Sequence, residues 1–443
     1  MNKNKKLKTM EKIILYSRNG RGDILEWSIE VVPYNQVGGL EGTSNDNSSV
    51  IVIYEGLLEG KKTETTNLVS KGKNTGKMNE TTPYQQAVKQ ALSRVEKKLK
   101  QGYKSLIDLG LGDSTSLEKY TSINEAVEAV LPKTRTDANN LSKCMKAMPY
   151  YKIKTTNGIK TKTNEPLIKF PCFGQPKLNG FRVFCRWEKV TLEQGTVFEQ
   201  ETYKPVFRSK EGLRYDILEH IADEMTEDMF KWNINGQEIE LVFDGEMYIH
   251  REILSEIASA VKKRGEKTSL LKFWIFDLAI EDLRQDERLR ILDEIHTNII
   301  HKNIKNLGVV TTTEILTNEQ AQEFTNLKIE EGYEGAIFRD KKAKYGFGKR
   351  VSTMTKLKRS IDKEYTIINV IGGENSPELG MFVCKTSEGL EFTVNPEGSH
   401  EKKKEYLLNK NNYIGKPLTV KFFEYTKDGK PFHATGVAIR DYE

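Results

Sequence analysis

Cysteine is scarce in this chain of 443 residues: Cys144, Cys172, Cys185 and Cys384 are the only four, and no two stand at CxxC spacing. That argues against a zinc ribbon and a disulfide framework, and it suggests reducing surroundings. The six histidines show no metal-ligand spacing either. Long apolar runs are missing too. The opening Met1-Asn2-Lys3-Asn4-Lys5-Lys6 has charges with no apolar segment behind them, so neither a signal peptide nor a membrane span is expected, and a cytoplasmic protein is. The stretch Tyr345-Gly346-Phe347-Gly348-Lys349-Arg350 combines glycines with bases but lacks GxxxxGK[ST] spacing, which rejects a P-loop. No one sign of charge dominates. Charged residues make up 30%, yet the net charge is +6, an excess that permits a polyanionic partner without requiring one. Residues 1–100 alone hold 17 Lys+Arg against 11 Asp+Glu, so the remainder is near neutral.

The length is enough for roughly two to four domains with their own cores, and the patterning divides into four regions. Residues 1–103 read as a small α+β accessory domain. Strands are expected at Ile13–Tyr16, Ile24–Val32 and Val50–Tyr54, with a polar loop over Gly38–Ser49. Thr82-Pro83 supplies an N-cap and a first-turn proline for a helix with Tyr84, Val88, Ala91, Leu92, Val95 and Leu99 on one face and Gly102 at its end. The loop Ser70–Lys77 alternates lysines with small residues. Such a loop suits phosphate, although a plain solvated loop reads the same way. Residues 104–148 form a connector with a short helix at Ile123–Val130.

Residues 149–362 carry strand patterns at Phe181–Trp187, Ile239–Phe243, Lys272–Phe276 and Ala336–Arg339. One helix is marked by Ile217, Leu218, Ile221, Met225 and Met229, another by Ile253, Leu254, Ile257 and Val261. This mixture predicts an α+β domain with antiparallel sheets around a cleft. Residues 363–443 switch to period-two strands at Tyr365–Val370, Met381–Lys385, Glu391–Val394, Leu418–Tyr425 and Phe432–Arg440, with an Asp428-Gly429 turn. Short strands at that density fit an OB-fold barrel.

The chemistry lies in an ordered series: Lys177-Leu178-Asn179-Gly180-Phe181-Arg182, Asp244-Gly245-Glu246, Phe276-Asp277, Tyr333-Glu334-Gly335 and Lys356-Leu357-Lys358. Each segment is weak singly. Together they supply an amine nucleophile, separated carboxylates beside glycines, and a late lysine pair. Free lysine titrates near pH ~10.4, so a nucleophilic Lys177 needs burial or neighbouring cations to shed its proton. Gly180 permits close backbone approach to a nucleotide, and Arg182 suits a ribose or phosphate. Lys356 and Lys358 alternate on a strand and point to one face.

This series resembles the covalent nucleotidyltransferases, polynucleotide ligases and mRNA capping enzymes, and above all the ATP-dependent DNA ligases of the small bacteriophage type. The resemblance covers roughly residues 165–443. It implies a nucleotidyltransferase domain with ATP-grasp-like antiparallel sheets followed by the OB-fold. It also implies ATP and Mg²⁺ as cofactors and nicked duplex DNA as partner, with a monomer expected and no membrane. By the same resemblance Lys177 takes up AMP, and Lys356 and Lys358 clamp the α-phosphate. Gln175 reads the adenine amino group, Phe276 stacks on adenine, and Lys210 in Ser209-Lys210-Glu211-Gly212 meets the ribose or the nick phosphate. Glu246 and Glu334 serve nucleotide and metal, and Arg440 orients pyrophosphate.

Asn179 departs from the family's aspartate, and relatives that act on RNA share the asparagine, so an RNA ligase is the first alternative. A capping guanylyltransferase follows, and a catalytically dead nucleic-acid-binding protein stands apart from both. The strand-then-helix layout of residues 1–103 resembles the WGR domains, which bind DNA ends. The Trp-Gly-Arg triplet itself is missing; Trp27 stands in Leu-Glu-Trp-Ser.

Overall fold

The computed structural model describes residues 10–34, 48–74, 76–133, 135–136, 141–156, 159–192, 200–234, 236–373 and 376–440. Most of the Gly38–Ser49 loop, Thr75 in the lysine loop, and Asp441 lie outside the described residues.

The N-terminal strands Met10–Arg18, Ile24–Pro33, Ser49–Leu57 and Thr63–Val69 form an antiparallel meander. The fourth strand carries no apolar alternation in Thr63-Glu64-Thr65-Thr66-Asn67, which is why the pattern does not announce it; it occupies the sheet edge. Helix Pro83–Lys100 begins at Thr82. The Thr82 Oγ1 accepts the Gln85 N–H, and the Gln85 side chain accepts the Thr82 N–H, closing a capping box. Its buried stripe is Ala87, Ala91 and Val95, flanked by Tyr84, Val88 and Leu99, and it packs on Leu15, Trp27, Ile29 and Val31. Leu92, expected on that face, is 45% exposed. One residue is a 100° step, which carries it off the stripe led by Ala91.

The stretch expected as a connector does not hang free. Leu111, Ala126, Val127 and Leu131 pack with Tyr16 and Ile24 of the N-terminal sheet, and the buried Arg18 guanidinium donates to the carbonyls of Glu128, Leu131 and Pro132. Helix Ile123–Val130 forms as the pattern indicates, capped by Ser122.

Two sheets build the α+β body. One runs in the order Arg214–Tyr215, Gln200–Ser209, Phe181–Leu192, Phe243–Tyr248, Lys272–Leu278, Leu307–Val309. The other runs Thr313–Ile315, Cys172–Lys177, Gly335–Asp340, Arg350–Lys358, Lys146–Pro149. Pairing is antiparallel except at Leu307–Val309 and Lys146–Pro149, which are parallel edges. Helices Leu254–Lys262, Gln285–His301 and Asn318–Glu330 complete the body.

Two local expectations fail. The residues Leu218, Ile221, Met225 and Met229 are buried as a set, but Thr226 adopts extended backbone and splits them between a turn at Glu219–Ala222 and a 3₁₀ turn at Glu227–Phe230. The strand read over Ile239–Phe243 is really two. Gln237–Glu240 pairs with Lys231–Ile234 in a separate hairpin, and Phe243 opens a strand of the large sheet.

The C-terminal strands Ile361–Gly372, Gly380–Lys385, Glu391–Pro396, Thr435–Ile439 and Pro417–Phe422 close into a barrel in that order. Closure removes edges and buries Tyr365, Ile367, Phe382, Val394, Val420 and Phe422. Helix His400–Leu408, which the period-two pattern hides, packs Tyr406 and Leu407 against the barrel core. All four cysteines are buried, and burial raises each thiol, that of Cys172 and that of Cys384 to about 12.

Candidate active site

The two sheets meet at one corner, and the corner is Lys177–Arg182. Strand Cys172–Lys177 ends in the second sheet, Leu178–Gly180 turn, and Phe181 starts a strand of the first. Gly180 is required here: a Cβ would lie 2.3 Å from the Met247 carbonyl oxygen. Its N–H donates to Glu246 Oε1 at 3.2 Å.

Register then gathers the lysines. Gly335 pairs with Lys177 on one side and with Lys358 on the other, so the two lysines lie in one row across three strands. Gly335 holds φ +148° and sits against the Leu357 carbonyl, leaving no room for a side chain. Two positions along, Gln175, Ile337 and Lys356 make the next row on the same face. Glu334 donates its N–H to the Lys177 carbonyl at 3.0 Å, and its carboxylate bridges the Lys177 and Lys358 ammoniums, one oxygen to each.

These charges are half-buried, and each lysine is pushed toward neutrality. Burial takes Lys177 below the ordinary lysine value; Glu246 and Glu424 oppose that shift and Arg182 adds to it. Burial, then Lys177 and Arg350, lower Lys356. Burial and Lys177 bring Lys358 down to about 8, against Glu424. Glu246 is displaced the other way, to about 7, by burial that outweighs Lys177 and Arg182.

The remaining expected residues are placed as follows. Arg182 lies opposite Glu246 in the register but gives its Nε and Nη2 to Asp244, at 2.8 and 2.5 Å. Asp244 is fully buried and also accepts from the Tyr345 hydroxyl at 2.6 Å. Those two bonds use two of the five guanidinium N–H donors. The half-buried Phe276 ring has the Arg182 and Arg339 guanidiniums 5.2 and 5.4 Å from its centroid. Gln175 is 2% exposed: its Oε1 accepts from Arg339 at 2.8 Å, and its amide nitrogen donates to the Phe276 carbonyl and the Thr312 hydroxyl, both at 3.0 Å. Lys210 is exposed on the Ser209–Leu213 turn beside Glu211. Arg440 is not with the lysines. Its guanidinium is held on the barrel by Thr419 at 2.9 Å and Glu364 at 3.6 Å.

Pattern reading missed three side chains of the site. Tyr345 lies in the stretch inspected for a P-loop, but no local signal marks a tyrosine that will cap an aspartate a hundred residues away. Arg339 lies near the end of the Gly335–Asp340 strand, and its alternation with Ile337 hints at an inward base. Glu424 enters from the barrel, donated to by Asn179 Nδ2 at 2.9 Å. Among the described residues no three His, Cys, Asp or Glu side chains gather where they could hold a metal ion.

Residues 155–358 match the model for the ATP dependent DNA ligase domain, and residues 372–440 match that for the DNA ligase OB-like domain. The chain belongs to the ATP-dependent DNA ligases. The match also decides the alternatives that Asn179 left open, in favour of DNA. The DNA ligase of an African swine fever virus Warthog/Namibia isolate is 27% identical over 84% of this chain and 79% of its own. That of a Pig/Kenya isolate is 26% identical over 88% and 82%. A solved structure, Pmar-Lig_Pre, superposes with a TM-score of 0.53 at 18% identity over 76% of this ligase and 74% of that chain, a likeness of fold. No helix among the described residues is long and apolar enough to cross a membrane.

Proposed function

We propose that this ligase seals 5′-phosphate/3′-hydroxyl nicks in duplex DNA through AMP carried on Lys177. The observation that carries the assignment is the single row in which Lys177 and Lys358 flank Gly335 with Glu334 bridging both ammoniums. A lysine depressed by burial reaches its neutral, nucleophilic form at lower pH, and Glu334 is the base in contact with its Nζ.

In the first step Nζ gives up a proton and bonds to the α-phosphorus of ATP. The bond to the bridging oxygen breaks and pyrophosphate leaves. Lys356 and Lys358, on the same face, meet the charge on the α-phosphate. Next the 5′-phosphate of the nick attacks the AMP phosphorus and the lysine departs, taking back a proton. Last, the 3′-hydroxyl attacks the activated phosphate and AMP leaves. Phe276 stacks on the base, Gln175 reads its amino group, and Arg182, fixed by Asp244, serves the ribose.

Glu246 and Glu334 are hard oxygen donors, two in number, which fits Mg²⁺ shared with phosphate oxygens and water better than an all-protein cage. When bound, such an ion neutralises charge on the phosphates. One copy of the chain carries every residue named here, so a monomer suffices. Lys71, Lys73 and Lys77 before the N-terminal helix, and Lys210 at the rim of the body, make the surfaces expected to meet DNA phosphates, with residues 1–103 acting as a DNA-binding accessory unit.

The test is incubation with Mg²⁺ and α-labelled ATP or GTP, followed by a chase with nicked DNA or nicked RNA. An AMP adduct on Lys177 that clears as DNA is sealed is expected. A GMP adduct, clearance on RNA alone, or no adduct overturns the reading.

A further inference from the structure

Between strands Lys146–Pro149 and Cys172–Lys177 the chain makes a detour. Tyr151–Thr156 and Ile159–Pro166 pair antiparallel as a two-stranded ribbon, which among the described residues pairs with no other strand. Its base is fixed to the edge of the second sheet. The Tyr150 N–H donates to the Lys356 carbonyl at 3.1 Å, and the Leu167 N–H donates to the Tyr150 carbonyl at 2.7 Å. In the strand order of that sheet the base stands three spacings from the Lys177 strand, about 14 Å. Tyr151 packs on a core cluster, but beyond it Ile153 is 52% exposed, and Lys154, Lys162 and Lys169 are exposed as well. What the ribbon carries is charge. Tyr151 to Lys169 holds five lysines against one glutamate, although residues 101–443 balance to near zero. Period two puts Lys152 and Lys154 on one face, and the register puts Lys162 with Ile153 on the other. Lys162 lies 4.3 Å from the Tyr151 ring centre, and Lys152 reaches across to Glu165. Threonines and asparagine fill most places between. Lysines, hydroxyls and amides without an apolar face suit the phosphate and sugar oxygens of a duplex rather than its base edges.

We propose that this ribbon is a further hold on the DNA, lying along the duplex arm on one side of the nick and taking backbone phosphates there. The proposal rests on the reading of nicked duplex DNA as the substrate. Six residues of strand reach about 20 Å, and each base pair rises about 3.4 Å. With its base about 14 Å from the Lys177 strand, the ribbon meets phosphates roughly four to ten base pairs from the nick. Lysines on both faces let it neutralise both walls of the major groove, which is wide enough for two strands. The contact is ionic, so it adds affinity without adding sequence preference.

The test uses the whole chain charged with AMP and a nicked duplex lacking the 3′-hydroxyl, without Mg²⁺, with affinity read across a salt series. In Lys154→Gln/Lys162→Gln/Lys169→Gln the slope of log affinity against log salt should flatten by about 1 for each lost contact, about 3 in all. AMP-adduct formation without DNA should match the parent's, because the ribbon stands a sheet's width from Lys177. Glu165→Gln frees Lys152 and should act the other way, with tighter binding and a steeper slope; a damaged ribbon cannot give that gain. Duplexes with one arm cut from about 14 to about 4 base pairs then place the contact. On one arm the parent should lose more affinity than the triple variant, and on the other arm the two should lose equally. A slope equal to the parent's, no gain in Glu165→Gln, or a flattened slope with equal losses on both arms overturns the proposal. The lysines would then only guard an exposed sheet edge or add net charge. Failure of the parent to form any AMP adduct instead overturns the functional reading beneath it.

Discussion

Two clusters of buried charge lie a few residues apart in the same sheets, and they are built on opposite terms. Around Asp277 every ionised group is answered. Its carboxylate accepts from Arg288 at 2.8 and 3.3 Å, from Arg339 at 2.6 Å and from the Leu278 N–H at 2.9 Å, while Gln285 accepts from Arg288 at 2.7 Å. Asp277 and Arg288 are completely buried, and although burial opposes it, the two arginines hold Asp277 below the ordinary carboxylate range. Around Lys177 the balance runs the other way. Burial drives the lysines down and Glu246 up, so each group is displaced toward its neutral form. In the first cluster the Asp277 carboxylate is stabilised as an ion between two buried guanidiniums. The second is held where proton loss, phosphate or metal can change it, which is what a nucleotidyl-transfer site needs.

The contrast can be broken most sharply at Asp277. Asp277→Ala strands two buried guanidiniums and should cost about 3–5 kcal/mol in denaturant unfolding; a variant that unfolds like the parent but loses activity would erase the distinction between the clusters. Lys177→Ala is the counterpart. It should abolish the AMP adduct, seen by labelled ATP and intact mass, while the unfolding midpoint stays within about 1 kcal/mol of the parent or rises.

A third effect sharpens the comparison through pH. Glu246 titrates at about 7 in the fold against 4.5 as its ordinary value, so between these the folded chain keeps a proton that the unfolded chain has lost. Stability from this group is therefore full below pH 4.5, falls as pH rises toward about 7, and stays reduced above. Glu246→Gln, which cannot ionise, should gain on the order of 1–3 kcal/mol over the parent at pH 8 and nothing at pH 4 in urea unfolding. The smallest effect is kinetic. Because Lys177 lies below its ordinary value of 10.5, single-turnover adenylylation should climb with pH and level off before 10.5; a limb still rising there would deny that burial prepares the nucleophile.

What the sequence makes legible is the content of each row, not the pairing between rows. Lys177, Glu334 and Lys358 are each visible in their short motifs, and strand alternation already puts Lys356 and Lys358 on one face. That Gly335 stands between the two lysines is a matter of register, set by strands that are remote in the chain. The Asp277 cluster is less legible still, since Arg288 sits on Gln285–His301, where an arginine among Asp, Glu and Arg reads as surface. The barrel strands emerge from period two because their faces alternate cleanly. The helix read over 217–229 fails because burial alone, without continuous backbone, produces the same apolar spacing. Glu424 has no signal at all: its neighbours in Phe422-Phe423-Glu424-Tyr425 describe a strand end, and its partner is in another domain.

The four cysteines have a practical consequence. Each thiol is enclosed and held above its ordinary titration point, so none offers a ready thiolate to maleimide at neutral pH. A cysteine placed on the surface would be the reactive one in a protein that keeps its native residues. Probes can thus be attached to the barrel and the body without first stripping the core of side chains that pack it, and the distance between them can be read in a molecule otherwise left as it is.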